Sequence, residues 1–110
     1  MPSAVSQISL DKLPPYNLEA EQSVLGACFK GEDAISKALE VLSDGDFYKA
    51  AHQKIFGAMR GRFEVNEPID VLGLADRLQQ TNELDFSGGV DYLSHLEDFV
   101  PTATAVVHHA

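Results

Sequence analysis

Apolar residues recur along this chain with a helical period, and the stretches between them carry turn formers. From Asn17 onward Leu18, Gln22, Leu25, Cys28 and Phe29 fall on one face at helical spacing. Asn17 is a suitable N-cap, Glu19 and Glu21 place negative charge in the first turn, where the helix dipole favours it, and Gly31 is a stop. A second helix, from about Asp33 to Leu42, carries Ile35, Ala38, Leu39 and Leu42 in the i, i+3, i+4, i+7 stripe of an amphipathic helix. Ser43-Asp44-Gly45-Asp46 reads as a turn, followed by the aromatic pair Phe47-Tyr48.

The third helix, about Lys49 to Glu64, aligns Ala51, Ile55, Met59 and Phe63, with His52 and Phe56 beside them. Gly57 and Gly61 lie inside it, so either another helix approaches closely or this end is weak. Asn66-Glu67-Pro68 breaks the pattern, and Asp70 caps a fourth helix with Val71, Leu74, Ala75 and Leu78 inward. Gly88-Gly89 reads as a turn and helix start, leading to a fifth helix from Gly89 to about Phe99 with Tyr92, Leu93, Leu96 and Phe99. Ala103, Val106, Val107 and Ala110 begin a sixth stripe without a stop signal. No segment alternates with period two between hairpin turns. The pattern predicts an all-α fold: a compact bundle of five to six short helices. The unfinished last stripe suggests a piece of a longer protein, with a partner helix elsewhere in the chain or in another subunit.

Length and charge narrow the function classes. The 110 residues suit one domain, and 45% hydrophobic residues can supply a core. Seventeen acidic against eight basic residues give a net charge of -9. That argues against direct binding of nucleic acid or anionic lipid, both of which need clustered cations. The single cysteine, Cys28, cannot form an internal disulfide. With no signal peptide and no apolar run of spanning length, a cytoplasmic protein is expected.

Candidate chemistry is sparse. There is no phosphate-cradling G-x-x-x-x-G-K-[ST] motif, so no catalytic or cofactor residue is expected in this chain. His108 and His109 are adjacent and diverge on a helix, His52 and His95 are isolated, and no metal-ligand spacing occurs. His52 reads as a structural histidine on an apolar face, though a hydrogen-bonded, pH-sensitive role is also open. Cys28 reads as a small hydrophobe. Phe47 is expected in the core. Tyr48 is either core or a surface anchor, and joins Ala103, Val106, Val107 and Ala110 as a candidate protein interface. Two other readings stand beside docking: a generic helical adaptor, and a small hydrolase using an acidic pair such as Asp44 and Asp46 with His52.

The run Pro14-Pro15-Tyr16-Asn17-Leu18-Glu19-Ala20-Glu21-Gln22-Ser23-Val24-Leu25-Gly26 resembles the opening of the amino-terminal domain of the bacterial replicative DNA helicase DnaB family. The resemblance continues through Asp46-Phe47-Tyr48, His52, Ile55-Phe56, Pro68-Ile69-Asp70, Leu74-Ala75, Leu78, Gly88-Gly89, Tyr92-Leu93, Leu96 and Pro101-Thr102. Gly61, Gly73 and Ala105 depart from the family pattern and bring local helix stability into question. Residues 1–15, mixing Ser, Gln and Asp and closed by Pro14-Pro15, read as a flexible, extended N-terminal arm; the resemblance implies a helical domain over 16–101 and the start of a hairpin helix over 102–110. It implies self-association into dimers, a collar of three dimers on a hexamer, and docking of primase, with a helicase loader as a further partner. ATP and Mg would belong to a RecA-type ATPase domain that these residues do not contain.

Overall fold

The computed structural model describes residues 13, 14 and 16–100; residues 1–12 and 15 of the arm expected over 1–15, and the sixth stripe with Ala103, Val106, Val107 and Ala110, lie outside them. Five α-helices follow in order: α1 (Leu18–Cys28), α2 (Glu32–Val41), α3 (Ala50–Glu64), α4 (Val71–Gln80) and α5 (Gly89–Glu97). A short 3-10 turn, Asp44–Asp46, precedes α3, and no strand occurs among the described residues.

The helix ends follow from local chemistry. At α1, the Ala20 amide donates to Asn17 Oδ1 at 3.0 Å; at α4, the Gly73 amide donates to Asp70 Oδ1 at 2.7 Å. Asn66 and Asn82, with φ of 61° and 60°, stop α3 and α4 in the left-handed region that asparagine tolerates. The following amides close each end, Glu67 N–H donating to the Arg62 carbonyl and Glu83 N–H to that of Leu78. Gly88, at φ 103°, turns the chain into α5 where a Cβ would collide with the Tyr92 side chain.

Helices α1, α3, α4 and α5 form a closed ring in which each packs on the next, and α2 lies across α1 and α3. This ring places α3 diagonally opposite α5. Leu25, Ile55, Phe56, Met59, Leu74, Leu93 and Leu96 are fully buried at its centre. Burying each such side chain stabilises the fold by roughly 1.5–3 kcal/mol, before chain entropy opposes it. Phe47 is buried against Phe56, their ring centroids 4.9 Å apart.

The face expected of α1 needs correction. Leu18 is exposed, whereas Glu21 is completely buried together with Val24, Leu25 and Cys28. Burial follows Glu21 rather than Leu18 because the carboxylate finds donors inside the domain. The glycines of α3 do permit close approach, but of side chains. The Arg77 guanidinium of α4 lies against Gly61 where a Cβ would stand, and the Arg62 guanidinium of α3 lies in the same way against Gly73 of α4. The two departures at Gly61 and Gly73 therefore make one reciprocal contact between α3 and α4.

Candidate functional site

Polar chemistry concentrates inside the ring, around Glu21, His52 and Tyr92. Lys49, at the N-cap of α3, provides no side-chain cap of its own. Glu21 reaches across from α1 and substitutes for it. The Tyr48 amide donates to Glu21 Oε2 at 2.6 Å, and the Lys49 amide donates to Oε1 at 3.3 Å. The carboxylate thus sits at the positive end of the α3 dipole.

His52, on the first turn of α3, meets the same carboxylate, with Nδ1 and Oε1 2.7 Å apart. Its Nε2 lies 2.6 Å from Tyr92 Oη on α5, and Gln22 Nε2 donates to that oxygen at 3.2 Å. The carboxylate accepts, so Nδ1 carries the hydrogen; the phenol O–H then donates to Nε2. The His52 and Tyr92 rings stack within 7° of parallel, their centroids 5.8 Å apart. Burial pushes the His52 pKa below its ordinary value and outweighs the upward pull of the Glu21 hydrogen bond and charge, while the Lys49 charge lowers it further. Burial likewise raises the Tyr92 pKa, keeping it a phenol, against the hydrogen bond from Gln22. A neutral His52 uses every partner.

This arrangement braces α1, α3 and α5 and reaches the surface through the half-buried Tyr92 and Gln22. His52 and Glu21 are fully buried. Two clefts mark the surface. One, of about 300 Å³, is lined by Cys28, Ile35, Phe63 and Ile69 among others; the second, of about 240 Å³, is lined by Lys54, Gly57, Arg77 and Glu83 among others. Neither is lined by Glu21, His52 or Tyr92. The acidic pair considered for hydrolysis is not brought to His52. Asp44 Oδ1 accepts from Arg60 at 2.6 Å, and Asp46 Oδ2 accepts from the Ser43 amide at 2.8 Å. Among the described residues, no three His, Cys, Asp or Glu side chains gather where they could hold a metal ion.

Of the expected interface residues, only Tyr48 falls among those described. It is 61% exposed and stands edge-on to Tyr16, itself 71% exposed, with centroids 4.4 Å apart. Cys28 is buried, and burial pushes its thiol up to about 12, the chemistry of an inert core residue. Glu21 was missed as an interior group because its partners lie 27, 28 and 31 residues further along the chain. The available signal was the pairing of an otherwise uncapped helix start with a histidine on its first turn.

A closed helical ring with a buried polar brace and an exposed aromatic pair defines a small all-α structural domain. The family model for the DnaB-like helicase N-terminal domain matches residues 13–110, and the chain belongs to that family. It is 44% identical over 106 residues to the replicative DNA helicase DnaB of Geobacillus stearothermophilus, covering 96% of this chain and 23% of that protein. It is 43% identical over 100 residues to the replicative DNA helicase DnaC of Bacillus subtilis, covering 91% and 22%. The crystal structure of the N-terminal domain of DnaB helicase from Mycobacterium tuberculosis superposes with a TM-score of 0.75 at 40% identity, covering 88% of this chain and 67% of that one. The chain thus spans about a quarter of the length of these curated relatives. No helix among the described residues is long and apolar enough to cross a membrane.

Proposed function

We propose that this chain is the assembly and docking module of a replicative DNA helicase that acts in the cytoplasm. It pairs with a neighbouring copy, contributes to a collar of three dimers on a hexamer, and presents a surface for primase and, in turn, for a helicase loader. It performs no reaction itself. Hydrolysis of ATP with Mg, and translocation on DNA, belong to the ATPase part of such a helicase.

The observation that carries this reading is the family match over residues 13–110, in a domain whose Glu21 and His52 are buried in its interior. A net charge of -9 supports a protein-facing role, since counterion release on a phosphate backbone needs clustered cations. The exposed Tyr48 and Tyr16 rings supply apolar area of the kind that anchors protein interfaces. The test is titration of purified bacterial primase onto the chain. Saturable binding, weakened at least several-fold by Tyr48→Ala, is the expected result. Absence of binding, or tight binding of single-stranded DNA at physiological salt, contradicts the reading.

A further inference from the structure

Helices α3 and α5 occupy opposite corners of the ring, and among the described residues one hydrogen bond joins them, between His52 Nε2 and Tyr92 Oη at 2.6 Å. This bond depends on one distribution of protons. In the neutral imidazole, Nδ1–H donates to Glu21 and Nε2 accepts from the phenol, whose oxygen in turn accepts from Gln22. A proton added at Nε2 turns the acceptor into a second donor. The phenol hydrogen then loses Nε2 as its acceptor, and Nε2–H and the Gln22 amide both point at the same oxygen. We propose that His52 is a proton-operated latch: protonation at Nε2 releases the Tyr92 phenol, and so unties α5 from α3, while α5 stays packed on α1 and α4.

The groups facing the imidazole set the direction. From α1, the Glu21 carboxylate favours the imidazolium at Nδ1. At the start of α3, Lys49 opposes it, its ammonium also standing 5.9 Å over the Tyr92 ring. From α5 comes the Tyr92 phenol, and from the connector before α3 the uncharged edge of Phe47, 6.4 Å away. Burial outweighs the carboxylate, so the latch stays closed at neutral pH and opens below the 6.5 of an ordinary histidine. The consequences travel along α5, where Tyr92 stacks on His95 and His95 meets Phe99.

The test is a pH titration of the chain from 8 to 5, followed by imidazole nitrogen and backbone amide NMR, with His52→Gln to assign the His52 signals. At pH 8, His52 is expected as the neutral Nδ1–H tautomer. Its protonation below 6.5 is expected to move Tyr92 and the α5 amides with the same midpoint, while the α3 amides beyond the first turn hold. Tyr92→Phe removes the donor that satisfies Nε2, and is expected to raise the His52 midpoint by about one pH unit. The latch is overturned if His52 stays neutral to pH 5, or if Tyr92 holds through its titration because Gln22 flips its amide to accept the phenol proton. Unfolding of the whole domain at the His52 midpoint overturns it too, as does an unchanged or lowered midpoint in Tyr92→Phe. Should that variant fail to fold, the titration of the unaltered chain decides alone.

Discussion

The carboxylate of Glu21 caps a helix to which it does not belong: its Oε1 lies 2.7 Å from Nδ1 of His52, on the first turn of α3. The same side chain accepts the Tyr48 and Lys49 amides. Glu21→Ala therefore removes the acceptor of two part-buried backbone donors and of a fully buried histidine. The expected loss is about 3 kcal/mol or more, since removing one partner from a buried network leaves the rest unsatisfied. Urea denaturation measures it. A loss below 1 kcal/mol would mean that water replaces the carboxylate without penalty.

The reciprocal contact of Arg62 on Gly73 and Arg77 on Gly61 separates two substitutions that look alike in sequence. Alanine gains about 1 kcal/mol over glycine in a helix interior. Arg77 has no hydrogen bond or ion pair among the described residues, so it can swing out, and Gly61→Ala is expected to stabilise the domain by up to about 1 kcal/mol. Arg62 donates to the Pro68 carbonyl at 2.8 Å and to Glu67 at 3.2 Å. Displacing it sacrifices those bonds, so Gly73→Ala is expected to destabilise by about 1 kcal/mol. The opposite order of the two variants in thermal melts would show that the guanidinium positions do not matter.

Stability should respond to pH through His52. The folded imidazole binds a proton less readily than the unfolded one, so lowering the pH through 6.5 favours unfolding. The contribution of His52 is complete above 6.5 and is lost as the pH falls through the lower folded-state value. Melting temperature should therefore be level from pH 8 to 7 and decline toward pH 5. His52→Gln should melt lower overall but with a flatter profile in that window. Parallel profiles for the two proteins would assign the decline to other groups.

Cys28 should be chemically silent. A thiol raised from 9.0 to about 12 loses thiolate about a thousandfold at pH 8, quite apart from steric shielding. Alkylation by iodoacetamide is expected only as fast as the domain unfolds, so denaturant should accelerate it sharply. Rapid labelling of the folded chain would contradict the burial of α1 against the core.

Much of the fold was legible because short-range rules govern it. Asn17 and Asp70 cap the helices they were assigned, Gly88-Gly89 turns into α5, and the stripes of α2 and α4 face inward. The polar interior was not legible, because it depends on pairs of distant residues. Glu21 obeys the first-turn rule for acids and so looks like a surface charge, until α3 presents its free amides to it. Gly61 looks like a weak point until the guanidinium of Arg77 is seen to occupy the space its missing Cβ leaves. Tyr48, which the sequence left between core and surface, is exposed because it stands edge-on to Tyr16 rather than under a helix.

The assembly and docking role is tested most directly by sedimentation velocity of the chain, alone and mixed with bacterial primase, from low to high micromolar concentration. A sedimentation coefficient that rises with concentration, and a faster boundary containing both proteins in the mixture, are expected. A strict monomer at high micromolar concentration that sediments independently of primase would contradict that role.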